Sequence, residues 1–488
     1  MTRSWLSPGQ RSWRPNETPP TLRDKVPKTI HNSAAAIHPA PAATCDGGTQ
    51  PGSFVAEDAL LDRYQRAAFG YFLRNRNPAN GLHADTSRAG SPVSIAVVGF
   101  ALSCYPVAVE RGWIAREEAV EHCSAALRFF RDSNQDGSPG STGYKGFYFH
   151  FLDRDTGTRV WRCELSMIDT ALLIVGALTA ARYFGADTAA EAELRDVADL
   201  LYRRIDWRWS QDGGSTIMQG WKPECGFLHY GWEGYSEAIV LYVLALGSPT
   251  HPIGEDCYQA WTSTYQWENL YGHEFLYAGP LFIHQFSHAW IDFRGIRDPF
   301  MRGKGCDYFE NSRRAVHVQR AYACINPRGH AGYDEDCWGL SACEGPSDEV
   351  QEADAEPRHL FGYAARGVPY GPDDGTLSPP SVLACLPFEP DLALAALHAM
   401  CRRHPEIVHE HGFTSGVNAD LRDDDGRAWV SPGLFGLDQG IIVLMIENHR
   451  TGLVWELMRG CRWLTDGLRR AGFDGGWLDA PGHDRGRG

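Results

Sequence analysis

The sequence contains no apolar run long enough to span a bilayer, and it has little positive charge for its size. Its 488 residues include 46 Lys and Arg against 61 Asp and Glu, which gives a net charge of −15 at pH 7. This balance argues against binding to nucleic acid, whose phosphates require Lys or Arg, and against an anionic membrane surface. Residues 1–52 also lack the apolar core of a signal peptide. The visible N-terminus therefore predicts a cytoplasmic protein, and a mis-annotated start codon would leave a periplasmic location open.

Several motifs that mark common chemistries are also missing. There is no P-loop, no GxGxxG within a βαβ unit and no GxSxG, which argues against nucleotide-dependent and serine-esterase chemistry. His284 and His288 have the spacing of a zinc-binding helix, but the Glu of HExxH is absent, so we expect core or substrate-contacting histidines. The acidic turns at residues 333–338 and 373–375 lack EF-hand spacing. No metal is predicted.

The cysteines are numerous but show no disulfide or metal pattern. There are 13 of them, an odd number, so at least one thiol is free in a monomer, and none forms a CxxC pair. We therefore expect reduced thiols buried in the core.

Aromatic residues are abundant, and they concentrate around carboxylates in residues 220–252. Aromatics make up 12% of the chain, with 16 Trp placed mostly beside Gly, Pro and acidic residues. In this stretch Trp221, Trp232 and Tyr235 surround Glu233 and Glu237. Aromatic rings stack on the C–H faces of pyranoses, and carboxylates bind hydroxyls or move protons. The pattern favours a sugar-binding cleft, and the alternative is an aromatic core loop with a solvated Glu.

The hydrophobic pattern predicts an all-α fold. Residues 1–52 are rich in Pro, Ala and Ser and are predicted to be a disordered extension, with one catalytic domain over residues 53–488. Apolar helices alternate with charged amphipathic ones, as two concentric rings require, so the predicted architecture is an (α/α)6 toroid. Helices are also expected over 277–294 and 307–325, a short aromatic strand or extended loop over 143–153, and a long irregular excursion over 326–379.

In such a toroid the loops that lead into the inner helices meet at one end. The loops before Ser91, Glu164, Ser236 and Asp438 are rich in carboxylates, Trp and Gly, so a cleft is expected there. Ser91 and Ser236 are predicted N-caps, and Asp438 is either an N-cap or a functional carboxylate. Glu164 is expected at a helix start.

Asp169 lies among apolar residues, and a buried carboxylate needs hydrogen-bond partners. It is therefore either the centre of a structural hydrogen-bond network or a sugar ligand. Whether Glu237 acts as an acid or a base stays open on these grounds, because the helix dipole and burial shift its pKa in opposite directions.

Many motifs in this chain resemble those of glycoside hydrolase family 144, the bacterial endo-β-1,2-glucanase family with a glucoamylase-like domain. The resemblance covers residues 55–478. The motifs that carry it are GLHADTS, SPVSIAVVGF, GYKGFYFHFLD, CELSMIDTALL, GWKPECGFLHYGWEGYSEA, LGSPTHP, AWTSTYQW, YAGPLFIHQFSHAWIDFRG, RGVPYGPDDGT, GLDQGIIVLMIEN and RRAGFDGGWL.

The resemblance implies an (α/α)6 barrel that hydrolyses β-1,2-glucan with inversion and without a metal or organic cofactor. It implies that Glu237 is the general acid and Asp438 the base-side carboxylate, with Glu164 as a third catalytic candidate. Many relatives carry an export signal, which this N-terminus lacks, and the KPECGF motif carries Cys225 where Ser is usual. Sugar binding is implied for the other residues in matched motifs: Asp169, Trp221, Trp232, Glu233, Tyr235, His284, Arg294 and Asp373.

Three alternatives stay open at this point. The first is a retaining transglycosylase on the same fold, because carboxyl separation distinguishes retention from inversion. The second is an exo-acting enzyme that releases sophorose. The third is a glucan-binding protein without turnover. The sequence does not fix the oligomeric state.

Overall fold

The structure is a computed structural model that describes residues 51–347, 350–351 and 358–480. The predicted extension, residues 1–52, lies almost wholly outside the described residues, and the domain boundaries stay predictions. Leu60–Gly488 is one compact unit. Among the described residues, no helix combines the length and the apolar character that crossing a membrane requires. Twelve described cysteines are free thiols and most are buried, as predicted.

Fourteen α-helices account for most of the regular structure in the described part of the chain. They are α1 Pro51–Arg74, α2 Ile95–Glu110, α3 Arg116–Asp132, α4 Met167–Tyr183, α5 Ala189–Arg204, α6 Ile239–Gly247, α7 Glu255–Thr262, α8 Pro299–Lys304, α9 Tyr308–Ile325, α10 Pro379–Leu383, α11 Pro390–Arg403, α12 Gly436–Arg450, α13 Leu453–Arg459 and α14 Arg462–Arg470.

The helices fall into two classes, as their sequences predict. In α2, α4 and α6 nearly every residue is apolar, and the structure buries them on all sides. In α3 and α5 apolar residues recur every three or four positions, so only one face is buried and the charged face is wet. The buried helices pack in the order α6, α4, α2, α12, α10, while α3 and α5 pack on each other and on α2 and α4.

A close helix contact joins α2 to α4 through two glycines. A Cβ atom built on Gly176 would lie 2.0 Å from the carbonyl oxygen of Gly99, and one on Gly99 would lie 2.2 Å from the carbonyl oxygen of Leu172. These neighbours are backbone atoms, which cannot move aside as a side chain can. The two apolar helices therefore approach to backbone contact because both positions lack a side chain.

Gly176→Ala is expected to lower the free energy of unfolding by about 3 kcal/mol, because the added methyl group forces α2 and α4 apart. Gly303→Ala on α8 is the matched control, since no heavy atom lies within 4 Å of its added Cβ. The control should be neutral or stabilising by up to about 1 kcal/mol from helix propensity. Urea unfolding of both variants checks this, and equal midpoints would contradict the packing argument.

Short strands connect the helices. They are β1 Val93–Ser94, β2 Gly143–Tyr144, β3 Phe147–Phe149, β4 Phe151–Leu152, β5 Leu165–Ser166, β6 Gly220–Lys222, β7 Gly226–Phe227, β8 Trp267–Leu270, β9 His273–Leu276, β10 Ala342–Glu344, β11 Val350–Gln351, β12 Arg358–His359, β13 Tyr363–Ala365, β14 Thr376–Leu377, β15 Val408–His409, β16 Gly412–Phe413, β17 Val417–Arg422 and β18 Ala428–Val430.

The largest sheet is antiparallel and has the strand order β2-β3-β5-β6-β7. It joins the predicted aromatic segment 143–153 to β5 just before α4 and to the loop before α6, so the two connections that lead to α4 and α6 are hydrogen-bonded together. The prediction of extended structure over 143–153 is confirmed.

The predicted helix over 277–294 is wrong. That segment contains only two 3-10 turns, Leu281–His284 and Ser287–Ala289. Tertiary partners replace helical hydrogen bonds here, because the Leu281 N–H donates to the Leu340 carbonyl and the Phe282 N–H donates to the Ser341 hydroxyl.

Candidate active site

Four carboxylates lie at the N-terminal ends of buried helices. Asp169 is in the first turn of α4, Asp438 is in the first turn of α12, and Glu237 lies two residues before α6. Asp85 lies in the loop that leads to β1 and α2. The charge of Asp169 adds to the rise in the pKa values of Asp85 and Glu237, and the charge of Asp85 adds to the rise in that of Asp438, so the four carboxylates lie near one another. This agrees with the expectation that the loops entering the inner helices meet at one end, and the cleft itself stays a prediction.

The predicted caps are wrong in register. Ser94, not Ser91, precedes α2, and Ala238, not Ser236, precedes α6. Phe435 is the N-cap of α12, so Asp438 lies inside the first turn and its carboxylate does not cap the helix. Glu164 precedes strand β5 rather than starting a helix, because Leu165 and Ser166 pair with β3 before α4 begins.

Two backbone hydrogen bonds fix the loop that carries Asp85. The Asp85 N–H donates to the Pro92 carbonyl at 2.7 Å, and the Asp85 carbonyl accepts from the Gly436 N–H at 2.8 Å. The second bond ties this loop directly to the start of α12. Asp85 and Asp438 are therefore held as neighbours although more than 350 positions separate them in the sequence.

His150 links two of the acidic residues. Its Nδ1 lies 2.9 Å from Glu164 Oε1, and its Nε2 lies 3.6 Å from Asp169 Oδ2. Burial lowers the pKa of His150, but the charges of Asp169, Glu164 and Asp85 outweigh this and raise it to about 9. Burial likewise acts to raise the pKa of Glu164, and the hydrogen bond and charge of His150 overcome it and lower that pKa to about 2. At neutral pH this pair is a charged imidazolium and a carboxylate.

Asp438 and Asp85 have the opposite tendency. Burial, with the charges of Asp85 and Glu344, raises the pKa of Asp438 to about 8, against a hydrogen bond from Ser415 that lowers it. Burial also raises the pKa of Asp85 to about 6, helped by the charge of Asp169 and opposed by His150. Asp438 Oδ2 is buried and has no hydrogen-bond partner among the described residues. An acceptor oxygen left unpaired in such a place is available to a ligand or water.

Glu237 is positioned by its own backbone. Its carbonyl accepts a hydrogen bond from the Ser287 hydroxyl at 2.8 Å, so the 3-10 turn at Ser287–Ala289 anchors the residue at the start of α6. Burial raises the pKa of Glu237 to about 7, and the charge of Asp169 adds to the rise. Glu237 thus keeps its proton near neutral pH.

The site therefore combines two kinds of ionisable group. Glu164 and His150 are fixed as a charged pair, whereas Glu237 and Asp438 exchange protons close to neutral pH. A pair of carboxyls that titrate near the working pH is what proton transfer to and from a substrate requires. Among the described residues, no group of three or more His, Cys, Asp or Glu is arranged to hold a metal ion.

The aromatic residues predicted to bind sugar divide between the cleft and the core. Trp221 lies on β6 opposite Leu165, the residue after Glu164, and stacks on Tyr144 at 5.2 Å between ring centroids. Trp232 is partly exposed, and its Nε1 lacks a partner among the described residues. Glu233 is exposed. Tyr235 packs among other aromatic rings in the core, so it offers no free face for a sugar.

His284 and Asp373 do not reach the cleft, which corrects both predictions. His284 is 1% exposed, and its Nε2 hydrogen-bonds to the Ala278 carbonyl at 3.1 Å. The Asp373 carboxylate is buried and accepts from the hydroxyls of Tyr322 and Tyr333, each at 2.6 Å, and it pairs with His330. These partners occupy its oxygens, so Asp373 is the centre of a structural network.

Arg294 lies at the other end of the buried helices, which corrects a third prediction. Its guanidinium pairs with Asp292 and lies 4.5 Å from the Trp455 ring on α13. This neighbourhood is fixed to the C-terminal end of α12, where the Asn448 amide donates to the Ala289 carbonyl. Asn448 stands ten residues beyond Asp438, about 15 Å along the helix axis. A matched motif therefore does not by itself place a residue in the cleft.

The structure also brings in residues that sequence reasoning missed. Asp85, His150, Glu344 and Ser415 all act on the pKa values of the carboxylates in this cluster. Asp85 and His150 stand inside the motifs GLHADTS and GYKGFYFHFLD. The signal in the sequence was an ionisable residue, Asp85 or His150, inside each of these motifs. Only the fold shows that the two residues lie near each other.

The chain is similar in sequence and in fold to several known proteins. A family model described as "Putative glucoamylase" matches residues 229–462, a segment that contains both Glu237 and Asp438. A solved structure from Bacteroides uniformis described in the same words is 29% identical, has a TM-score of 0.75, and covers 87% of this chain and 99% of its own. An endo-β-1,2-glucanase from Chitinophaga pinensis, solved with sophorotriose and glucose, is 25% identical with a TM-score of 0.72, over 86% of this chain and 99% of its own.

A longer relative adds a second mode of action. The exo β-1,2-glucooligosaccharide sophorohydrolase (non-reducing end) of Parabacteroides distasonis is 26% identical over 438 residues, which are 83% of this chain and 56% of the relative. This chain thus spans little more than half of that protein. The resemblance predicted from the motifs is confirmed: residues 229–462 match a glucoamylase-like family model, and the chain is similar to bacterial β-1,2-glucanases.

Proposed function

We propose that this protein is a glycoside hydrolase that cleaves the β-1,2-glucosidic bonds of β-1,2-glucan. The observation that carries the proposal is the pair Glu237 and Asp438. Both lie in the segment matched by the glucoamylase-like model, and both have pKa values raised by burial to near neutrality. The substrate class comes from relatives that are named for action on β-1,2-glucans or their oligosaccharides.

In the proposed reaction Glu237 donates its proton to the glycosidic oxygen as the bond to the anomeric carbon breaks. A water molecule attacks the anomeric carbon from the opposite face, and its proton passes to Asp438. The product has inverted configuration, and proton exchange with solvent restores both carboxyls. The unpaired Asp438 Oδ2 supports the role of an acceptor for the proton of water.

Glu164 is better suited to binding than to proton transfer. His150 keeps the pKa of Glu164 at about 2, so this carboxylate holds no proton to donate at neutral pH. We assign Glu164 and Asp169 to accepting hydrogen bonds from sugar hydroxyls, with Trp221 and Trp232 on the walls of the cleft. Glu233, exposed in the same loop, is a further sugar contact in this proposal.

The proposal includes the (α/α)6 toroid. The packing order α6, α4, α2, α12, α10 supports it, because the five buried helices form one continuous series in which α4, α2 and α12 each pack between two others. The amphipathic helices α3 and α5 cover the outside of α2 and α4, as the outer ring requires.

We propose endo action, and the likeness to the exo-acting relative favours release of sophorose as the second candidate. One digestion series tests both together with the reaction itself. Linear and cyclic β-1,2-glucans and β-1,3-, β-1,4- and β-1,6-glucans are incubated with the protein, and early products are followed by chromatography and NMR of the anomeric protons. We expect hydrolysis of β-1,2-glucans alone, mixed oligosaccharides early, and α-anomers first. Sophorose as the sole early product would establish exo action, and β-anomers first would overturn inversion.

The rate is expected to follow a bell-shaped pH profile with a maximum between about pH 7 and 8. Catalysis needs one proton on the pair, and that proton must be on Glu237 while Asp438 is ionised. Because Asp438 has the higher pKa, the reactive form is the less populated of the two singly protonated forms, but it follows the same pH dependence as their sum. Burial raises the pKa of Glu237 to about 7 and that of Asp438 to about 8. Below the lower value both carboxyls are protonated and no base remains, whereas above the higher value both are ionised and no acid remains. Initial rates of kcat/KM from pH 4 to 10 check this, and a maximum near pH 5 would contradict it.

A further inference from the structure

Trp161 stands out among the exposed apolar side chains because it sits beside a cavity at the edge of the cleft. Its side chain is 62% exposed, although tryptophan is among the most costly residues to leave in water. The adjoining cavity has a volume of about 480 Å³ and is lined by polar groups that include Ser91, Arg154 and Asp155. Cavities of roughly this size hold small ligands in other proteins, and one aromatic wall among polar walls fits a pyranose ring.

The backbone at Trp161 is held in an unusual conformation. Trp161 and Arg162 both have positive φ angles, 57° and 52°, in the left-handed region that bulky residues rarely adopt. A residue in this region persists only where its surroundings impose the conformation. The consequence of this turn is that the indole points outward instead of joining the core.

A buried arginine imposes the turn. The Arg159 side chain is 1% exposed, and its Nε donates to the Cys163 carbonyl at 2.5 Å, across the turn. Its two terminal nitrogens donate to the carboxylate of Glu224 at 2.8 and 3.1 Å, and the guanidinium lies 4.7 Å from the centre of the Phe149 ring. Burying a guanidinium carries a large desolvation penalty, which these partners offset. The segment that Arg159 stabilises in this way is the one that exposes Trp161.

Two connections place Trp161 next to the carboxylate cluster. Its ring lies 5.2 Å from the Phe151 ring, which in turn stacks on His150 at 4.0 Å between centroids. His150 is the partner of Glu164 and Asp169. On the other wall of the cavity, the carbonyl of Pro92 accepts the hydrogen bond that fixes Asp85. The cavity therefore adjoins the two loops that carry Asp85 and His150, which belong to the carboxylate cluster.

We propose that Trp161 is a stacking platform that binds a glucosyl unit of the substrate outside the central subsites. The inference rests on the proposed function, since it names the place where a longer β-1,2-linked chain gains additional binding. A platform of this kind strengthens the binding of long chains and leaves the chemical step unchanged. Its effect must therefore depend on chain length.

The test compares wild type, Trp161→Ala, Trp161→Tyr and Leu200→Ala on β-1,2-linked oligosaccharides of increasing length. Leu200, on α5 and 44% exposed, is the matched control for truncation of a large exposed apolar side chain. For long chains we expect Trp161→Ala to raise KM about tenfold at unchanged kcat, which is the loss of one stacking contact. The rise should shrink as the chain shortens, Trp161→Tyr should stay within about threefold of wild type, and Leu200→Ala should match wild type.

The outcomes separate this inference from the proposed function. If wild type hydrolyses β-1,2-glucan but KM of Trp161→Ala is unchanged at every length, the platform is overturned and the proposed function stands. A KM rise that is equal at all lengths, or a fall in kcat at constant KM, also overturns a remote subsite. If wild type hydrolyses no β-1,2-glucan of any length, the proposed function fails and this inference fails with it.

Discussion

Glu237→Gln is expected to lower kcat on β-1,2-glucan by about three to four orders of magnitude, because an amide cannot protonate the glycosidic oxygen. The substitution preserves the size of the side chain and its backbone bond to Ser287. The activity of Glu255→Gln, which makes the same chemical change at an exposed carboxylate in the first turn of α7, should equal that of wild type. Initial rates by reducing-end assay provide the measurement.

A second substrate identifies the role of the proton. β-Sophorosyl fluoride releases fluoride, which leaves without protonation, so Glu237→Gln should hydrolyse it within about tenfold of wild type. Equal losses on fluoride and glucan would show that Glu237 does something other than protonate the leaving group. A Glu237→Gln protein that keeps most of the wild-type rate on glucan would rule out Glu237 as the acid.

Asp438→Asn is expected to lower kcat by about three orders of magnitude on both substrates, because the attacking water still needs a base when the leaving group does not need an acid. Asp391→Asn is the matched control, since Asp391 is also a carboxylate in the first turn of a helix, α11, but is exposed. Both substitutions remove the same interaction with a helix dipole, so a difference between them reflects the cleft.

Thermal unfolding distinguishes a catalytic Asp438 from a structural one. Burial raises the pKa of Asp438 to about 8, far above that of an unfolded Asp, so ionising the group favours the unfolded state. The destabilisation begins as the pH rises past the unfolded value and is complete above about 8. At pH 9 Asp438→Asn should therefore melt at the same temperature as wild type or higher, while it has lost activity. A lower melting temperature would indicate a structural role.

The buried helices could be predicted from sequence because their signal is local. A helix that is apolar on every side, such as α4, can be predicted to be buried from its own residues alone. The 277–294 segment has a similar composition yet forms two short 3-10 turns, because side chains distant in the sequence, Ser341 among them, take over its hydrogen bonds. The residues of the segment itself do not indicate which distant groups will bond to it.

The site shows the same division. Glu237 and Asp438 were predictable because each begins an apolar helix and stands in a recognisable motif. Asp85 became part of the site only through a backbone bond to Gly436, and His150 only through its bond to Glu164. Arg294 and His284 show the converse error, because both stand in matched motifs and yet contribute to packing. A motif shows only which residues are close in the sequence, whereas a residue belongs to a site only if the fold brings it close in space.

The five-stranded sheet has a consequence for the entropy of binding. Its strands β3 and β5 come from the connection between α3 and α4, β6 comes from the connection between α5 and α6, and the three strands carry or adjoin His150, Glu164 and Trp221. Free loops would lose backbone freedom when a sugar arrived, at about 1 kcal/mol for each residue that became ordered. Because these residues are hydrogen-bonded in one sheet, they have already lost that freedom during folding. The entropy loss therefore lowers the free energy of unfolding and does not weaken the affinity for the glucan.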